Sequence, residues 1–136
     1  MSSDMNEAVV RRFIEEVANG RNTSVVEELL AEDFRLPPGS EGLDRGGLVA
    51  VLEYYFAAFP DLHYSIEDVV AAGDKVVVRV AMTGTHEGDY EGVAGSGKPF
   101  AVEEVDIFDL VDGRIAGYRI VWDELGFRRQ LGLQLT

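Results

Sequence analysis

Apolar residues recur at helical spacing in the first half of the chain and at alternating spacing in the second. From about Asp4 to Asn19, Met5, Val9, Phe13 and Val17 stand four apart, with Val10 and Ile14 beside them. That spacing predicts a helix with one apolar stripe, stopped at Asn19-Gly20. Ser24 and Glu27 have the spacing of a capping box, which opens a short helix through Val25, Val26, Leu29 and Leu30. Pro37-Pro38-Gly39 forces an irregular stretch. Leu48, Val51, Leu52, Tyr55, Phe56 and Phe59 then follow an i, i+3, i+4, i+7 pattern, predicting a third helix capped by Asp44 and ended by Pro60.

From Leu62 the texture becomes β. Tyr64 and Ile66 alternate with polar neighbours, and Ala72-Gly73-Asp74 turns the chain into a valine-rich strand from Lys75 to His86. Gly88 to Gly97 holds four glycines and reads as a loop or wide hairpin end. Phe100 to Leu110 is a further strand, Asp112-Gly113 a tight turn, and Arg114 to Trp122 the antiparallel return. Asp123 to Gly132 closes with a helical turn. Helices first and strands after them argue for a single α+β domain over residues 1–136 rather than a parallel α/β sheet. A long curved sheet packed on helices at one face leaves room for a cavity. Apolar residues occupy both parities of the strands, more than one layer of three helices covers, so a homodimer through the outer sheet face is expected.

Composition narrows the partners. Twelve basic against 25 acidic residues give a formal charge of −13, a field that repels phosphate backbones and excludes nucleic acid as an expected partner. No apolar run is long enough to span a membrane, and Met1-Ser2-Ser3-Asp4 has neither a basic segment nor an apolar signal core. With no cysteine there is no disulfide, thiolate nucleophile or thiolate metal site, which suits the cytoplasm. His63 and His86 are the only histidines and lie without a close-spaced carboxylate pattern, so no metal is expected. No nucleotide motif occurs either, and no cofactor is expected.

The candidate chemistry lies in carboxylates and aromatics. Asp123 follows an apolar strand and precedes Leu125-Gly126-Phe127, surroundings that lift a carboxyl toward neutrality and suit it to proton transfer. The alternative is that it caps the terminal helix. Asp106 lies within a strand whose two faces are Glu104-Asp106-Phe108-Leu110 and Glu103-Val105-Ile107-Asp109. Neither is cleanly apolar, so the inner face stays open. Pairing symmetrically about Asp112-Gly113 sets Asp106 opposite Arg119, which either joins a pocket carboxylate or makes a cross-strand ion pair. Asp123 then lies on the order of 14 Å farther along the ladder, on the opposite side of one cavity. His86, at a strand end, either bonds a ligand oxygen or makes a structural hydrogen bond. Tyr55, Phe56 and Phe59 form an aromatic stripe that is core, with its inner end at the cavity.

Phe59-Pro60-Asp61-Leu62, Gly73-Asp74-Lys75-Val76-Val77 and Gly84-Thr85-His86-Glu87-Gly88, followed by Asp112-Gly113-Arg114-Ile115, Asp123 and Gln130-Leu131-Gly132, resemble the SnoaL-like polyketide cyclase family. The resemblance runs from about Asn6 to Gly132. It implies the cone-shaped, nuclear-transport-factor-2-like fold around a pocket for a small apolar molecule. It also implies cofactor-independent, intramolecular aldol cyclisation of an aromatic polyketide ester. The family's acid/base aspartate falls on Asp123 and its neighbouring tryptophan on Trp122. A pocket histidine of the polyketide cyclases falls on Asp106, a departure. Two other readings keep the same pocket: epoxide-hydrolase-like water addition by Asp106, Asp123 and Arg119, or binding without catalysis.

Overall fold

The structure, a computed structural model, describes residues 2–135; Met1 and Thr136 of the expected domain lie outside the described residues. It is α+β, with helices packed on one five-stranded mixed sheet. The strands are β1 (Leu30–Arg35), β2 (His63–Ala72), β3 (Lys75–Thr85), β4 (Pro99–Val111) and β5 (Arg114–Trp122), in spatial order β1-β5-β4-β3-β2. Pairings are antiparallel except that of β1 with β5. Among the described residues no helix is long and apolar enough to cross a membrane.

Helix α1 (Ser3–Arg12) is capped by the Ser2 hydroxyl, which accepts from the Met5 amide at 3.1 Å. It runs on as a wider π-helical segment, Phe13–Asn19, closed by a bond from the Gly20 amide to the Glu15 carbonyl. The predicted stripe is what it buries: Val10, Phe13, Ile14 and Val17 enter the core, while Met5 stays exposed. Helix α3 (Arg45–Ala58) starts at the predicted cap, Asp44, whose carboxylate accepts from the Gly47 amide at 2.8 Å. Helix α4 (Glu124–Leu131) ends on Gly132 in the left-handed conformation.

Two local expectations are corrected between α1 and α3. Ser24 makes no capping box: its hydroxyl donates to the Asn22 side chain, and a 3₁₀ turn (Thr23–Val25) leads into a four-residue helix, α2 (Val26–Leu29). Leu30 then starts strand β1 instead of ending a helix. Its spacing from Phe34 suits either element, and a free edge on β5 decides between them. β1 lies so close to β5 that a Cβ on Gly117 would meet the Arg35 carbonyl oxygen at 2.3 Å, so only glycine fits there.

Two bulges bend the sheet, at Glu67 in β2 and at Ala116 in β5. The second resets the ladder after the Asp112-Gly113 turn, where both residues have positive φ. Leu110 faces Ile115, but Asp109 faces Gly117, so every later pair slips by one residue. The core divides in two: Phe13, Phe34, Phe108 and Tyr118 anchor one cluster, and Phe59, Phe100, Tyr90 and Phe127 the other.

Candidate active site

Along β4 the buried residues are Phe100, Val102, Glu104, Asp106, Phe108 and Leu110, and this parity is the inner face. Val102 belongs to one core cluster and Phe108 to the other, so the two acids sit where the clusters part. A cavity of about 110 Å³ opens there. Phe13, Ile14 and Ala18 line it from the first helix, and Leu48, Val51, Leu52 and Tyr55 from α3. The sheet contributes Tyr64, Val80, Met82, Tyr118, Ile120 and Trp122 besides the two acids, and Leu36 completes the wall.

Glu104 and Asp106 are the only charged residues in that lining. They are 8% and 5% exposed, too little for two free carboxylates to be hydrated. Burial raises the Glu104 pKa from the usual carboxylate range. Burial raises that of Asp106 well above it, and the adjacent Glu104 charge adds to the shift. The two carboxyls lie close enough to act on each other's titration, the Asp106 contact pulling the Glu104 pKa down against its burial. One oxygen of Asp106, Oδ1, is buried with no hydrogen-bond partner. The arrangement is that of a carboxyl dyad: two neighbouring buried acids, each pushed by burial toward its protonated form.

Two tyrosines face the same space. The Tyr118 ring stacks on Phe108 at 4.6 Å, meets Phe13 edge to face at 5.8 Å and lies tilted against Phe34 at 6.1 Å. Tyr64 is pinned through its backbone, its amide donating to Asn19 Oδ1 and its carbonyl accepting from Asn19 Nδ2, both at 2.8 Å. Asn19 closes the π-helical segment, a widening often found beside functional sites.

The predicted residues divide sharply. Asp106, Trp122 and Tyr55 line the cavity, the Tyr55 hydroxyl being bonded to that of Tyr90 at 3.2 Å. Asp123 does not. Its carboxylate is exposed and caps α4, accepting from the Gly126 amide at 2.8 Å, so its expected position in the cavity is corrected. The bulge at Ala116 is the reason: it sets Tyr118, Ile120 and Trp122 inward and turns Arg119 and Val121 outward. Arg119 accordingly faces Ile107 on the outer side, not Asp106. Phe59 is fully buried in the second cluster, away from the cavity.

His86 is also outside the cavity and fully buried. Its Nε2 pairs with the Val93 carbonyl and its Nδ1 with the Ser96 hydroxyl, both at 3.2 Å, so the ring pins the glycine-rich loop. Glu104, Tyr64 and Tyr118 were not singled out in the sequence. The signal for Glu104 was its parity with Phe100, Val102, Phe108 and Leu110, all apolar and all even-numbered. Among the described residues no cluster of three or more His, Asp or Glu side chains has metal-binding geometry.

Comparison with known proteins gives this geometry relatives. The sequence profile of the SnoaL-like polyketide cyclases matches residues 8–131. Aklanonic acid methyl ester cyclase DauD of Streptomyces sp. (strain C5) is 30% identical over 132 residues, covering 91% of this chain and 80% of that protein. Among solved structures, TsrD from Streptomyces laurentii superposes with a TM-score of 0.87 at 27% identity, over 98% of this chain and 99% of the other. IdmH, a putative polyketide cyclase from Streptomyces antibioticus, gives 0.80 at 28% identity, over 94% and 99%.

Proposed function

The chain belongs to the SnoaL-like polyketide cyclase family, and on that premise we propose that it closes a ring by intramolecular aldol addition. The substrate is an apolar carbonyl compound bound in the cavity, and the Glu104–Asp106 dyad supplies both acid and base. The observation that carries the proposal is the dyad itself: two neighbouring buried carboxyls in an otherwise uncharged, aromatic-walled cavity, with Asp106 Oδ1 left unpartnered.

The ionised member removes a proton from carbon beside a carbonyl. The resulting enolate attacks a second carbonyl of the same molecule, forming one C–C bond. The new alkoxide then takes a proton from the dyad, which ends in its starting protonation state. Nothing is oxidised, and no co-reactant enters or leaves. Raised pKa values serve both halves, since a base poised toward neutrality is also an acid able to give the proton back.

Asp123, the acid/base group that the family resemblance implies, is a helix cap in this geometry. Epoxide-hydrolase-like water addition loses support because Arg119, needed to hold the water, lies on the outer face. The proposal extends to a homodimer through that face, where Val70 and Val121 are 64% and 63% exposed.

The test is turnover of aklanonic acid methyl ester, with smaller diketo esters alongside it, by purified protein. Ring closure by wild type that falls about 100-fold or more in Asp106→Asn, with the unfolding midpoint retained, supports the dyad. Full activity in Asp106→Asn alongside loss in Asp123→Asn returns the chemistry to Asp123.

A further inference from the structure

We infer that the hydroxyls of Tyr64 and Tyr118 form a two-donor site that holds the oxygen of the reacting carbonyl against the Glu104–Asp106 dyad. The inference rests on the catalytic reading above and adds the residues that position the substrate.

Three observations converge on it. Both tyrosines line the cavity together with both acids. Among the described residues neither hydroxyl hydrogen-bonds to another part of the protein, although the third tyrosine of the lining, Tyr55, is bonded to Tyr90. Both are held rigidly by other means: Tyr118 by three aromatic rings, and Tyr64 by the paired amide bonds of Asn19. Tyrosine hydroxyls at buried positions ordinarily find partners. Here the ring is fixed and the polar tip is left uncommitted, in the same cavity lining as Asp106, whose Oδ1 is equally uncommitted.

The chemistry of those tips selects the ligand group. Burial pushes both phenols well above their ordinary pKa, and the neighbouring carboxyl charges push in the same direction. Each therefore keeps its proton and offers an O–H donor. A carbonyl oxygen has two lone pairs and accepts two such donors. As the carbon beside it loses a proton, that oxygen gains negative charge, and donors fixed in advance stabilise it more than they stabilise the neutral ketone. The cavity holds no Lys, Arg or His to do this instead. The tyrosines thus bind the oxygen, while the dyad handles the proton on carbon.

The experiment is infrared difference spectroscopy with ¹³C=O-labelled acetophenone as probe, read beside binding titrations and melting curves of wild type, Tyr64→Phe and Tyr118→Phe. Phenylalanine keeps each ring and its packing, so the fold is retained. The proposal expects the carbonyl stretch of the bound probe to lie below its value in hydrocarbon solvent. Each substitution should move it back upward and weaken binding roughly three- to tenfold, the weight of one neutral hydrogen bond. A structural role alone would move the melting curve and leave the frequency unchanged. Absence of binding, a bound frequency equal to that in hydrocarbon, or a frequency that either substitution leaves in place overturns the two-donor site. Because the measurement involves no turnover, its failure is distinct from failure of the dyad, which Asp106→Asn reads separately.

Discussion

Glu104 and Asp106 share the inner face of β4 two residues apart, both buried at the cavity wall. Strand geometry sets them side by side, and neither is free to turn away without breaking the β3–β4–β5 ladder. On β3 they face Val80 and Val78, and on β5 Trp122 and Ile120. The pair has no cation to neutralise it, so it stays buried by keeping a proton.

That proton makes stability depend on pH in a defined direction. The folded pKa of each acid is above its unfolded value, so between the two the folded state binds more protons. Their contribution is fully present below the ordinary carboxylate range, about pH 4, and is lost as pH rises through the folded pKa values. Chemical denaturation of wild type and of the Glu104→Gln/Asp106→Asn double variant from pH 4 to 9 checks this. Wild type should lose stability relative to the double variant as pH rises. A constant difference would mean the dyad is not buried as described.

Removing either partner should have the same outcome. Glu104→Gln and Asp106→Asn should each cost turnover about 100-fold while leaving circular dichroism unchanged. Single-turnover kinetics on whichever ester proves to be a substrate provide the measurement.

Asp123→Ala should act on stability and not on chemistry. Loss of the bond to the Gly126 amide costs about 0.5–2 kcal/mol, the usual value of an N-terminal cap. Turnover per folded molecule should change less than fivefold, roughly the error of comparing two preparations near 1 kcal/mol. A larger loss at unchanged stability would restore Asp123 to the chemistry.

His86→Ala should loosen the loop from Gly88 to Gly97. It leaves the Ser96 hydroxyl and the Val93 carbonyl without their ring partner, at a cost of about 1–3 kcal/mol. Amide hydrogen exchange should rise across that loop and stay unchanged in β4. Equal protection in both proteins would deny the histidine its pinning role.

The outer sheet face tests assembly. Val70, Val77, Val105, Ile107 and Val121 lie on it, interrupted by the ion pairs of Arg79 with Asp68 and Glu103. Light scattering at micromolar concentration should give the mass of a dimer, and Val121→Lys should halve it. A monomeric wild type would leave this face without a partner.

Much of the architecture was legible in the chain. Periods of three to four residues marked α1 and α3, Asp44 marked a cap, and Asp112-Gly113 marked a hairpin, because each is decided by neighbours within a turn or two. The even parity of Phe100, Val102, Phe108 and Leu110 already tied Glu104 to Asp106. Three things were decided elsewhere. β1 is a strand only because β5, some 80 residues later, offers it an edge. The inner face of β4 was settled by the helices that cover it. The extra residue at Ala116 exchanged Arg119 for Ile120 opposite Asp106 and left Asp123 outside the cavity. A bulge has no strong local signature, since its cost and benefit lie in the pairing and packing of distant strands. One residue of slip is enough to reverse every side chain beyond it.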